Sequence, residues 1–348
     1  MLLPRTEAIL RAIVGEYIIR ATPVPSQSLV DDYRLGVSPA TVRNEMAHLE
    51  HEGYIARPHT SAGSVPTDKG YRYYVDSLTD LELPLTEQRL ISHLFHQVER
   101  KLEEWLVLAA TLLAQLTQNV AIVAAPKSTD CRFKHMELIA LQDSLTLAIL
   151  VLQGARVKQH LINFDQDISQ PRLTAITNKL NSAYSGLTNS QILSKKVELS
   201  PIEKQLTDWI SETMQVEDKQ EIEEPYFNGL HFMLSQPEFT RSQRALALME
   251  LVEQRNLLRT IIPREMAGRG ILVIIGGENK AEIIQDYSVV IGRYGLPDEA
   301  VGTVGVVGPT RMPYARTIST VGYLSSVLSG LLAELYGKET GLTRHDTN

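Results

Sequence analysis

The sequence predicts an α+β, multidomain chain with an N-terminal winged helix-turn-helix, then an antiparallel-sheet domain interrupted by a mainly helical insertion. Three observations carry this. A capped amphipathic helix and a short strand, loop and strand occupy residues 38–67. From Val120 the apolar period changes from helical to two. The strand-like runs stop near Phe164 and resume at Ile271, with a polar, helix-patterned stretch between.

A helix over 5–20 opens the chain, with Ile9, Leu10, Ile13, Tyr17 and Ile18 as its apolar stripe. Ser26 then caps a short helix through Gln27, Ser28, Leu29, Val30 and Tyr33, and Leu35-Gly36-Val37 makes a tight turn into Ser38. Two helices joined by such a turn describe a helix-turn-helix. Ser38 is a good N-cap, Pro39 suits the first helical position because its missing N–H would be unpaired there anyway, and Gly53 is a natural stop. At about 100° per residue, Val42, Met46 and Leu49 fall on one side, while Ala40, Thr41, Arg43, Asn44, His48 and His51 spread over the other. The apolar side must bury; the other is free.

That free side suits base reading. Small residues at the entry let a helix sink into the major groove, Arg43 offers a fork to guanine or phosphate, and Asn44 can pair bidentately with adenine. An ordinary surface helix has the same periodicity, so the flanks decide. Residues 54–57 read as a strand, 58–64 as a polar loop and 65–67 as a return strand, which makes a wing. Candidate DNA contacts are Ser26, Gln27, Ser38, Pro39, Ala40, Thr41, Arg43, Asn44 and His48 on the helices, and Arg57, His59, Thr60 and Ser61 on the wing. Lys69 and Arg72 join them on a helix over 68–78, where a solvated face is the competing reading.

Thr86 caps a helix of about thirty residues, a spine carrying Leu94, Val98, Leu102, Trp105, Leu106 and Leu113. Strands are expected at 120–124, 134–141, 145–152 and 156–164, and short turns favour an antiparallel meander. A helix over 169–183 follows. Ser200-Pro201-Ile202-Glu203 is a capping box for a helix carrying Leu206, Trp209, Ile210 and Met214, and a further helix after Thr240 carries Leu246, Met249, Val252 and Leu257. Strands return at 271–275, 287–292 and 301–307, and are expected to complete the sheet left near Phe164. The final helix spans 312–336.

Two blocks of this sequence resemble the HrcA family of bacterial heat-inducible transcription repressors. One comprises Ser38-Pro39-Ala40-Thr41-Val42-Arg43-Asn44-Glu45-Met46 and the run from His59-Thr60-Ser61-Ala62-Gly63 to Tyr71-Arg72-Tyr73-Tyr74-Val75-Asp76. The other comprises Val273-Ile274-Ile275-Gly276-Gly277-Glu278-Asn279, 302–312 and Tyr314-Ala315-Arg316. Pro25 and Ser64 depart from the pattern, and Ser64 lacks the charge for a phosphate contact. The resemblance implies a winged-helix head at 1–78, and a GAF-like domain at 79–188, led by a long linker helix, and at 263–338. It also implies an inserted dimerisation domain at 189–262, and the polar stretch 339–348 is expected to be a flexible tail. It further implies a homodimer bound to double-stranded DNA at an inverted repeat called CIRCE, repression of chaperone operons, and modulation by the GroEL chaperonin.

Composition bounds the rest. The 348 residues carry 34 Lys plus Arg against 41 Asp plus Glu, a net charge of −7, and residues 1–76 hold eight basic and nine acidic groups. Indiscriminate coating of nucleic acid is excluded, so affinity must come from a local patch and two heads per operator. Cys131 is the single cysteine, and no apolar run approaches the ~20 residues of a membrane span, so a cytoplasmic protein with no membrane partner is expected. Gly302, Gly305 and Gly308 lack the order of a nucleotide loop and read as tight packing. Arg311 and Arg316 could bind an anion but more simply pair with carboxylates. His93 with His96, and His48 with His51, have metal-like spacing but no third ligand assignable from sequence. No nucleophile with a base is found, so neither an enzyme nor a cofactor is expected. The alternative is a winged-helix repressor controlled by a small molecule or metal in the GAF-like domain.

Overall fold

The computed structural model describes residues 2–33, 38–59, 63–79, 81–99, 101–127, 131–142, 144–153, 156–219, 225–239, 270–296 and 300–337. The chain forms two compact units. The first comprises 1–124, 224–294 and 303–331, and the second comprises 125–223, 295–302 and 332–348.

The first unit begins with α1 (Pro4–Arg20), α2 (Ser26–Tyr33), α3 (Pro39–His51), β1 (Ile55–Ala56), β2 (Val65–Pro66) and α4 (Asp68–Asp76). Ile9, Leu10 and Ile13 of α1, Leu29 of α2 and Val42, Met46 and Leu49 of α3 are buried, as their spacing requires. β1 and β2 pair antiparallel, Ile55 opposite Pro66 and Ala56 opposite Val65. Val24 adds a bridge to Ser64, with both N–H···O bonds at 2.8 and 2.9 Å.

The thirty-residue spine is not continuous. It is two helices, α5 (Leu85–Gln97) and α6 (Leu102–Thr117), with Val98 and Lys101 both extended between them. Glu103 and Glu104 in the first turn of α6 favour a fresh N-terminus there, because carboxylates are stabilised at the positive end of a helix dipole. β3 (Val120–Lys127) follows.

The second unit holds β4 (Phe133–Gln142), β5 (Leu145–Leu152) and β6 (Arg156–Asn163), an antiparallel meander in a sheet of its own. Thr146, Ala148, Leu150 and Leu152 of β5 face inward beneath α7 (Gln170–Tyr184) and α9 (Pro201–Lys219), where Leu173, Leu180, Tyr184, Leu206, Ile210 and Met214 close one core. Between these helices lies α8 (Asn189–Ser194). The capping box forms: Ser200 N–H donates to Glu203 Oε2 at 2.7 Å and Glu203 N–H to Ser200 Oγ at 3.4 Å.

The later strands do not complete this meander. β7 (Tyr226–Asn228), β8 (Leu272–Ile275), β9 (Tyr287–Leu296) and β10 (Ala300–Pro309) join β3 in a five-stranded sheet of order β7-β3-β10-β9-β8. The burial pattern gives the reason. β5 alternates buried and half-buried residues, whereas β3, β9 and β10 carry long runs buried on both faces and belong in a layered sheet interior. The second compact unit begins at Ala125 and carries the meander. α10 (Leu230–Leu234) follows β7, and α11 (Tyr314–Leu335) ends the described chain. α11 is long and apolar enough to cross a membrane by length and composition, which the run-length reading missed because Ser and Thr punctuate it. Its Val321, Leu324 and Leu328 are buried within the protein. The helix expected after Thr240, the 35–37 turn, the wing tip and the tail lie outside the described residues.

Candidate nucleic-acid interface

The candidate interface is built on α3. Ser38 is extended (φ −70°, ψ 154°) and its Oγ accepts the Thr41 N–H at 3.2 Å, with the two hydroxyls 2.9 Å apart. At the other end Gly53, at φ +76°, sends its N–H to Glu50 O at 3.0 Å while Tyr54 N–H reaches Leu49 O at 2.9 Å. That reciprocal pair closes the helix and turns the chain into β1. Sequence reasoning missed Glu45, whose carboxylate accepts from Thr6 Oγ1 at 2.7 Å and Arg5 Nε at 3.1 Å and so pins α3 to α1.

With Val42, Met46 and Leu49 buried, the opposite face is open. Ser38, Pro39, Ala40, Arg43, Asn44 and His48 are exposed, and Thr41 is half-buried. Arg43 Nε lies 3.5 Å from Ser26 Oγ of α2, which brings Ser26 to the same surface; Gln27 beside it is exposed. Arg57 and His59 are exposed on the hairpin, Arg57 with Glu50 at 3.2 Å. Thr60 and Ser61 lie outside the described residues. Ser64 is fully buried, so no phosphate contact can come from it.

The α4 candidates stand elsewhere. Lys69 Nζ donates to Glu52 O at 2.7 Å and sits 4.2 Å from the Tyr54 ring centroid, so it fastens the end of α3. Arg72 donates through Nε to Glu278 Oε1 at 2.8 Å and through Nη2 to Val273 O at 2.7 Å, with Asp76 at 3.4 Å. Burial opposes ionisation of Glu278, but the Arg72 hydrogen bond and the Ile275 N–H outweigh it and hold the carboxyl below its usual range. Arg72 is a packing guanidinium here, because its fork is filled by acceptors more than 200 residues away in sequence.

The second block is likewise structural. Arg311 pairs with Glu238 and donates to Ile18 O at 3.1 Å; Arg316 takes both oxygens of Glu87 at 3.2 Å and donates to Leu116 O at 2.7 Å. Each satisfies a terminal helix carbonyl. A Cβ at Gly308 would stand 2.7 Å from Asn119 Cγ, in keeping with tight packing. His96 bonds Ser92 O and His93 bonds Gln97, and among the described residues no three His, Cys, Asp or Glu are placed to hold a metal.

Comparison with known proteins extends this. The model of the HrcA protein C-terminal domain matches residues 103–318. The heat-inducible transcription repressor HrcA of Dehalococcoides mccartyi strain 195 is 54% identical, covering 98% of this chain and 99% of its own. The same-named proteins of Roseiflexus castenholzii and Chloroflexus aurantiacus are 41% and 38% identical, over 96% and 97% of this chain and 96% and 95% of theirs. The crystal structure of a hypothetical protein shares the fold at a TM-score of 0.59 and 26% identity, covering 96% of this chain and 98% of that one. The exposed helix face thus belongs to a transcription repressor, a class that acts on DNA. The chain is a member of the HrcA family, the heat-inducible transcription repressors.

Proposed function

We propose that the chain represses chaperone operons by binding the inverted repeat CIRCE as a homodimer, with 1–78 as a winged-helix head that puts α3 in the major groove. One observation carries this: α3 keeps Ser38, Ala40, Arg43 and Asn44 exposed while Val42, Met46 and Leu49 anchor its other side. Contacts are assigned to Ser26, Gln27, Ser38, Pro39, Ala40, Thr41, Arg43, Asn44 and His48, with Arg57, His59, Thr60 and Ser61 along the wing. Lys69 and Arg72 are left out of the reading surface because their donors are engaged. The five-stranded sheet forms the core of a GAF-like domain, and the excursion that carries β4–β6 supplies the dimerising insert. Relief on heating through loss of GroEL assistance follows from the family resemblance.

The test is a binding titration on operator and scrambled duplex. Arg43→Ala and Asn44→Ala should each weaken operator binding by about 1–3 kcal/mol and relax base preference, as loss of a bidentate base contact does. Wild-type affinity in both variants would remove α3 from the interface.

A further inference from the structure

Two contacts grip the N-terminal helices from behind, and base reading uses neither. On α4, Arg72 holds Glu278 and the Val273 carbonyl, and Asp68 Oδ2 accepts the Gly277 N–H at 2.8 Å. Gly276, at φ +50°, lies so close that a Cβ there would collide with the Asp68 carboxylate. Glu278 is itself fixed by the Ile275 N–H at 2.9 Å. At the end of α1, Arg311 joins Glu238 to the Ile18 carbonyl. The rings of Tyr71 and Tyr314 meet between these points, centroids 5.8 Å apart, both deeply buried. The grip takes α1 and α4 only, so with it closed the outer face of α3 stays exposed.

We propose that Asp68, Arg72, Glu278 and Arg311 are positioning residues, a latch that fixes the orientation of the reading head so that two heads in a dimer match the spacing of the inverted repeat. This rests on the assignment of α3 as the DNA contact. A half-site engaged by one head makes the second contact intramolecular, and its effective concentration is high only where the second head is already held in register. A loosely tethered head must be ordered at the moment of binding. An isolated surface ion pair contributes little. This one differs, because the guanidinium is filled by a carboxylate and a main-chain carbonyl together, and because Asp68 locks the adjacent backbone.

Glu278 lies outside the head, so its removal separates latch from contact. Full-length wild type, Glu278→Ala, and the charge swap Arg72→Glu with Glu278→Arg are titrated at low salt. The duplexes are the inverted repeat, a single half-site, and repeats with the spacer lengthened or shortened by a few base pairs. Glu278→Ala should lose about fivefold or more on the native repeat, keep wild-type half-site affinity, and discriminate less between spacers; the swap should recover part of the loss. Native affinity with native spacer preference in Glu278→Ala would overturn the latch. So would an equal loss on half-site and repeat. If Arg43→Ala and Asn44→Ala bind the half-site as wild type does, the α3 reading fails instead, and the two failures are distinct.

Discussion

Gly63 is required by a neighbour and not by its own torsion angles. The Val24–Ser64 bridge brings the chain beside it so closely that a Cβ would stand 2.6 Å from the Val24 carbonyl oxygen and 2.7 Å from the Pro23 carbonyl carbon. These are all backbone atoms of Pro23 and Val24, which cannot step aside as a flexible side chain would. Gly63→Ala should therefore cost about 1–3 kcal/mol, the usual range for overpacking, and lower the thermal midpoint; an unchanged melt would show that the hairpin base can shift. Nothing in the sequence pattern announces this need, because Val24 is nearly forty positions away. The cap at Ser38 was legible because its partner, Thr41, is three residues on. Arg72 was left between a phosphate contact and a helix-face role for the same reason that Gly63 was opaque: its acceptor lies 206 positions later in the sequence.

Elements were legible wherever their stop and start signals are local. The α9 capping box forms as Ser200 and Glu203 foretell, and Glu203 adds Lys179 at 2.8 Å. Burial alone would raise the Glu203 carboxyl, but the Lys179 and Ser200 hydrogen bonds overcome it and leave it below the ordinary value of 4.5. A carboxyl depressed in the folded state contributes stability that is complete above its unfolded value and is lost as pH falls through the lower folded one. Denaturant melts from pH 7 to pH 3 should thus show wild type losing its advantage over Glu203→Gln only below about pH 4.5; a gap between the two that stays constant across the range would contradict this. The break between α5 and α6 was less legible. Apolar spacing runs through 94–116 without a fault, and only the acidic pair Glu103 and Glu104 marks a second N-terminus.

At the scale of the molecule, strand positions were readable and strand partners were not. Alternation fixes which face of β5 is buried, yet it is silent on whether β6 is followed in the sheet by β8 or by solvent. The decisive clue is burial on both faces of β3 and β10, visible only once helices cover them. The meander left on its own has a second face that carries apolar side chains. Leu147 of β5 stands between Ile139 and Leu161, and Val151 pairs with Val157. Ile139, Val157 and Leu161 are 39%, 52% and 54% exposed, although the inner face of the same strands is closed by α7 and α9. An apolar sheet face open to water costs free energy that a second copy would recover, at ~25 cal/mol per Å² covered, and a two-fold pairing of identical faces matches a palindromic operator. Val157→Glu and Leu161→Glu put charge on that face without touching the core beneath. Sedimentation equilibrium at micromolar concentration should show a wild-type dimer and predominantly monomeric variants. Because each monomer retains one intact head, the variants should lose affinity for the inverted repeat while keeping that for a half-site. Dimers that persist in both variants would place the pairing surface elsewhere on the chain.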